Sequence, residues 1–138
     1  MKNVFLYLIL GCATLASCTT KSAKPNPISV QYIDVNMASS IITKDHNTII
    51  LDVRTPQEFN AGHLPNALNI SIHDEQFSEK VNKLNKSKHY IVHCAANVKN
   101  GRSAKSLKVM SDLGFPYLSS MNGGYAAWKE AGKAVIKD

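Results

Sequence analysis

Three cysteines occur in the 138 residues, Cys12, Cys18 and Cys94, and Cys94 stands where a thiol can react. Tyr90-Ile91-Val92-His93 reads as a strand that ends at Cys94. Ala95 to Gly101 follows as a loop, and Arg102-Ser103 opens a helical segment. A thiol at such a strand-to-helix turn faces backbone N–H groups at a helix N-terminus. Those donors and the helix dipole favour anions, hence the nucleophilic thiolate over the thiol. Arg102 or Lys99 can then hold an anionic substrate against the sulfur, with Asn97 as a further polar contact from the same loop. Many free thiols are inert buried hydrophobes, but the Asn, Lys, Gly and Arg around Cys94 argue for reactivity. No His, Cys and carboxylate set has metal-ligand spacing, so neither a metal nor a cofactor is implied.

The elements that must position this thiol are short. Residues 28–33, 48–51, 67–72, 90–93 and 117–119 read as strands. Residues 36–43, 77–84, 102–113 and 125–131 read as helices. In the 102–113 helix, Ala104, Leu107, Met110 and Leu113 recur at intervals of three, and Gly114 and Pro116 end it. Thr55-Pro56-Gln57-Glu58 is a capping box with Pro at the first helical position, and Gly62 supplies the stop. Short apolar strands alternating with helices imply βαβ units around a parallel sheet, an α/β fold. Ligands of such sheets sit beyond the C-terminal ends of the strands, where Asp52, Arg54 and Cys94 all fall. A carboxylate there most often ties down loop N–H groups, so Asp52 is read as structural. Arg54 is the better candidate for a substrate contact.

The N-terminus has a different character. Lys2 precedes an apolar run, residues 4–16, which falls short of the ~20 residues needed to span a bilayer. A charged start, an apolar middle and small residues after it describe an export signal. Leu15-Ala16-Ser17-Cys18 resembles the lipobox of bacterial lipoproteins, in which the chain is cut before a cysteine that then carries lipid. The resemblance places lipid on Cys18. It divides the chain into a signal peptide at 1–17, a flexible tether at 18–27 and one domain at 28–138. The protein is then exported and faces the periplasm from a bacterial membrane. Thr19 stands where many inner-membrane lipoproteins have Asp, which favours the outer membrane. Cys94 is left as the one unmodified thiol.

Composition agrees with a single packed domain: 44% of residues are apolar and 19% charged. The formal net charge of +6 is scattered, and no zinc-finger spacing or aromatic-basic cluster accompanies it, so nucleic acid is not an expected partner. The lysines at 80, 83, 86 and 88 read as a solvated face.

Four segments together resemble the rhodanese family. Leu51-Asp52-Val53-Arg54-Thr55-Pro56-Gln57-Glu58-Phe59 is similar to its first signature. Gly62-His63-Leu64-Pro65-Asn66-Ala67 is similar to its second, with Asn66 where the family usually has Gly. The segment from Cys94 to Ser103 is the third. Asn122-Gly123-Gly124-Tyr125 with Trp128 is the fourth. The resemblance implies a rhodanese-like three-layer sandwich, a five-stranded parallel sheet flanked by helices. It implies a sulfurtransferase that takes sulfane sulfur from a small anionic donor such as thiosulfate. A persulfide on Cys94 would carry that sulfur to cyanide or a thiol. His63 resembles the family's structural histidine near the site. A monomer is expected, tied to the membrane only through lipid on Cys18.

The loop departs from the family's pattern. Sulfurtransferases typically space the loop as Cys-x4-Arg, and the related cell-cycle phosphatases and arsenate reductases as Cys-x5-Arg. Here seven residues separate Cys94 from Arg102. Lys99 falls where the sulfurtransferase Arg would stand, so Lys99 and Arg102 are both candidates for the anion contact. A Cys-based phosphatase or arsenate reductase, and a non-catalytic rhodanese-like module that binds a partner or carries sulfur, remain the alternatives.

Overall fold

A computed structural model describes residues 29–96 and 100–137. Cys18, Asn97, Lys99 and the expected signal and tether segments lie outside these residues. Five strands form one parallel sheet: β1 (Gln31–Ile33), β2 (Thr48–Asp52), β3 (Leu68–Asn69), β4 (His89–His93) and β5 (Leu118–Met121), in the order β1-β5-β4-β2-β3. Helices α1 (Val35–Lys44), α2 (Pro56–Asn60), α3 (Phe77–Asn82) and α4 (Arg102–Asp112) occupy the connections, and α5 (Gly124–Glu130) follows β5. The architecture is therefore the flanked five-stranded parallel sheet implied by the signatures.

Side chains alternate across the strands, so the sheet has two dry faces. Leu51, Val53, Tyr90 and Val92 pack with Phe77 and Val81 of α3 and Leu107 and Met110 of α4. Ile33, Ile50, Ile91 and Met121 pack on the other face with Val35 and Ala38 of α1 and Trp128 of α5. Cys94 belongs to the α3/α4 face. Strand β4 lies at the centre, between β5 and β2, so the residue that follows it is held from both sides.

Local chemistry sets the helix starts. Asp34 caps α1 by accepting from the Met37 N–H at 2.8 Å. Thr55 caps α2, and Glu58 returns a carboxylate to the Thr55 N–H, which completes the capping box with Pro56 at the first position. Three strands differ from the pattern. The first covers only Gln31–Ile33 of the expected 28–33. The third covers only Leu68–Asn69 rather than 67–72, because its partner β2 ends at Asp52. Beyond that point the chain still bonds to the bend, through Ile70 N–H to Asp52 O and Ile72 N–H to Val53 O, but not as a regular ladder. The fifth runs on through Ser120 to Met121, buried at all four positions. Serine is accommodated in this buried strand because the Ser119 hydroxyl has a partner in the His89 ring at 2.8 Å.

Candidate active site

Cys94 is the first residue beyond β4 and is buried, 2% exposed. Its Sγ lies 3.5 Å from the Ala96 carbonyl and 3.5 Å from the Ser103 hydroxyl, in the first turn of α4. The N-cap of that helix is Gly101, which provides no side-chain cap. The first turn of α4 thus brings a hydroxyl and a helix N-terminus to the sulfur.

The start of the loop is held from behind by α5. The Tyr125 N–H donates to Cys94 O at 2.8 Å, and the Ala126 N–H donates to Ala95 O at 2.9 Å. This approach leaves no room for a side chain at Gly124. A Cβ there would lie 2.3 Å from Cys94 O, and the residue has φ of +57°. The glycine pair of the fourth signature is therefore a seat for the cysteine carbonyl as well as a turn.

Asp52 and Arg54 lie on the opposite face of the sheet edge. Arg54 Nη2 is 2.6 Å from Asp52 Oδ2 and donates to the Gly62 carbonyl at 2.8 Å. Its guanidinium stacks 4.1 Å from the Tyr125 ring centre. The side chains are 3% and 0% exposed. Arg54 was expected to contact substrate; in the structure its Nε and Nη2 are engaged by Asp52 and the Gly62 carbonyl, which braces the 62–63 turn. Asp52 also accepts from the Arg54 backbone N–H, and the Asn69 amide donates to the Asp52 and Arg54 carbonyls.

His93 completes this buried group. Nδ1 is 3.3 Å from Cys94 O, and Nε2 is 3.7 Å from Asp52 Oδ2. Burial holds the imidazole below its ordinary pKa, against the opposing pull of Asp52. A neutral ring that donates from Nδ1 therefore helps to fix the cysteine carbonyl. His63 is built into the frame. Its backbone exchanges hydrogen bonds with Ile136, its Nδ1 is 2.9 Å from Leu64 O, and its ring stacks on Phe59 at 3.8 Å.

Arg102 is committed to a partner that sequence reasoning missed. Its Nη1 and Nη2 meet Glu58 Oε2 and Oε1 at 2.5 and 2.8 Å, a two-pronged pair across α2 and α4. The Arg102 hydrogen bond is the main cause that lowers the Glu58 carboxyl to about 2. The same bond raises Arg102, with smaller pulls from Cys94 and Asp52. Arg102, expected as an anion contact, therefore stands at the rim already paired with Glu58. Glu58 was legible only as a capping residue, and nothing in the sequence links positions 44 residues apart. Ser103 carried a weak signal, a hydroxyl one position into the helix that follows the loop. Among the described residues, no group of three His, Cys, Asp or Glu side chains could hold a metal. No described helix is long and apolar enough to cross a membrane.

Known proteins share this fold. The Rhodanese-like domain family matches residues 35–131, and the chain belongs to that family. It is 32% identical to Rhodanese-like domain-containing protein 17 of Arabidopsis thaliana, over 90% of this chain and 82% of that protein. It is 31% identical to thiosulfate sulfurtransferase 16, chloroplastic, of the same plant, over 72% and 88%. It is also 31% identical to the mitochondrial protein HIGH ARSENIC CONTENT 1 from that plant, over 85% and 73%. Among solved structures, a rhodanese-related protein from Thermoplasma volcanium superposes with a TM-score of 0.66 at 30% identity, covering 78% of this chain and 99% of that one.

Proposed function

We propose that this protein is a sulfurtransferase that loads sulfane sulfur on Cys94 and is anchored by lipid on Cys18, facing the periplasm. The observation that carries the catalytic part is the seat of Cys94: it follows the central strand, with its carbonyl clamped by α5 and its sulfur beside the first turn of α4. With thiosulfate, the thiolate attacks the outer sulfur, a new S–S bond forms, and the old one breaks with its electron pair leaving on sulfite. Cyanide or a thiolate then takes the terminal sulfur and returns the thiolate. Backbone donors of the α4 first turn face the negative charge at both steps. Burial shields the loaded sulfur from stray thiols until an acceptor enters.

Family membership and the relatives named as thiosulfate sulfurtransferases support the reaction class. The anchor rests on the sequence alone: Lys2, the apolar run 4–16 and Leu15-Ala16-Ser17-Cys18. A Cys18→Ser variant is expected to leave the membrane fraction or to remain unprocessed. Wild-type protein that is soluble and free of lipid by mass spectrometry refutes the anchor.

A Cys-based arsenate reductase or phosphatase is the second reading. One observation favours it, the relative whose name refers to high arsenic content. The deciding experiment runs thiosulfate with cyanide, arsenate with a thiol reductant, and a phosphate ester in parallel on the purified protein. Thiocyanate release that disappears in Cys94→Ser is the expected result. Turnover of arsenate or the ester without thiocyanate release replaces the proposal, and turnover of none of the three favours the non-catalytic module.

A further inference from the structure

A cavity of about 210 Å³ opens on the α1/α5 face of the sheet, whereas Cys94 belongs to the α3/α4 face. Ile42 of α1, Ile50 of β2, Pro65 and Trp128 of α5 give it apolar walls. One charged side chain, Lys133, lines it, and no carboxylate does. Two of the walls are fixed by backbone bonds. In the 64–67 turn the Ala67 N–H donates to Leu64 O at 3.1 Å, with Pro65 second and Asn66 third. Asn66 has φ of +59°, a conformation that Asn tolerates. It therefore adds an amide at the cavity where a Gly would bring no side chain. On the other wall, the Lys133 N–H donates to Trp128 O at 3.3 Å, and Trp128 Nε1 donates to Ala134 O at 2.8 Å. The Lys133 backbone is thus pinned to the ring that lines the cavity. Lys133 is half-buried and has no ion-pair partner among the described residues. Its apolar stem can follow the wall while the ammonium reaches the opening.

We propose that this cavity is a second binding site, apart from Cys94, for a small amphiphilic monocarboxylate. The apolar body of the ligand lies along Ile42, Ile50, Pro65 and Trp128, and its carboxylate accepts from the Lys133 ammonium and the Asn66 amide. Burial of the apolar body drives binding, and the two polar groups decide which end faces out. One cation with one neutral donor matches a single negative charge, whereas a dianion would keep an unmatched charge against apolar walls. The volume is below the ~300–1,000 Å³ of drug-sized sites, which limits the ligand to a body of about six to eight carbons. The site is independent of the sulfurtransferase reading, since none of its residues touches the cysteine loop.

Trp128 is the one tryptophan of the chain, so its fluorescence reports on the cavity. The purified full chain is titrated at neutral pH with hexanoate, and in parallel with hexanol, hexylamine and acetate. Hexanoate is expected to change the Trp128 emission saturably. Hexanol, with the same tail and no charge, should bind about two- to fivefold more weakly, the factor that a partly exposed charge contact is worth. Hexylamine, with the opposite charge, should bind more weakly still, and acetate, with no tail, should leave the emission unchanged. Lys133→Gln and Asn66→Gly should each raise the Kd for hexanoate by a similar factor and leave that for hexanol where it is. Glycine suits the φ of Asn66, so the turn survives in Asn66→Gly, and thermal unfolding of the variants reports folding. A hexanoate response that rises without saturation overturns the inference. So do equal Kd values for hexanoate and hexanol, or hexanoate binding unchanged in either variant.

Discussion

Two arginine–carboxylate pairs flank the cysteine, and their settings differ more than their distances. Arg54 and Asp52 meet at 2.6 Å with the side chains 3% and 0% exposed. Arg102 and Glu58 meet at 2.5 Å with 25% and 35%. The inner pair joins residues two apart in the chain, is roofed by Tyr125, and also holds the Gly62 carbonyl. The outer pair joins two helix starts and borders solvent. Equal geometry thus serves different ends. A desolvated pair is costly to break and acts as a brace, whereas an exposed pair stabilises little.

The sharpest way to break this contrast is Arg54→Ala. It strands Asp52 as an uncompensated buried charge and should cost about 3–5 kcal/mol, a large share of the 5–15 kcal/mol typical of a domain. Denaturant unfolding measures it. A loss under ~1 kcal/mol would place the inner pair in the same class as the outer one.

Gly124→Ala probes the clamp between the two pairs. The added methyl meets Cys94 O at 2.3 Å and the backbone is left-handed. A loss of about 1–3 kcal/mol is expected, together with slower sulfur transfer, since Tyr125 N–H and Ala126 N–H position the loop. Unchanged stability and turnover would mean that α5 does not set the loop.

Acid separates the regions by pH window. The buried His93 ring has a folded pKa below its ordinary 6.5. As pH falls through 6.5 the unfolded chain binds this proton first, so stability declines by up to ~1.4 kcal/mol per pH unit. Glu58, lowered from 4.5 to about 2 by Arg102, contributes stability above pH 4.5 that is lost only as pH falls toward 2. Its share is the smaller, about 0.2–1 kcal/mol for an exposed pair. Unfolding curves between pH 7.5 and 5 should therefore lose a slope in His93→Asn and keep it in Glu58→Gln. The reverse pattern would assign the acid lability to the rim.

Much of the frame was legible. Periodicity and caps placed α2, α4 and β4 to within a residue or two, and the strand-to-helix turn placed Cys94 at the carboxyl edge of the sheet. What stayed hidden was pairing across the fold. Arg54 and Arg102 look alike in a sequence, each near an apolar segment and each near a functional signature. Which of them meets solvent depends on where Tyr125 and Gly62 lie relative to one and Glu58 relative to the other, all fixed by tertiary contacts. Glu58 showed its local role through Thr55, three residues away, and its distant role not at all. The strand expected at 117–119 runs on through Ser120 to Met121, because a polar side chain can be buried when a hydrogen bond meets it, as the His89 ring does for Ser119.

The central claim is that Cys94 carries sulfur, and intact-protein mass spectrometry after incubation with a sulfane donor tests it most directly. Wild-type protein treated with methanethiosulfonate or thiosulfate should gain the mass of one sulfur atom, located on Cys94 by fragmentation. Cyanide should remove that mass as thiocyanate, and Cys94→Ser should gain none. A wild-type protein that gains no sulfur from either donor, or gains it equally in Cys94→Ser, contradicts the account.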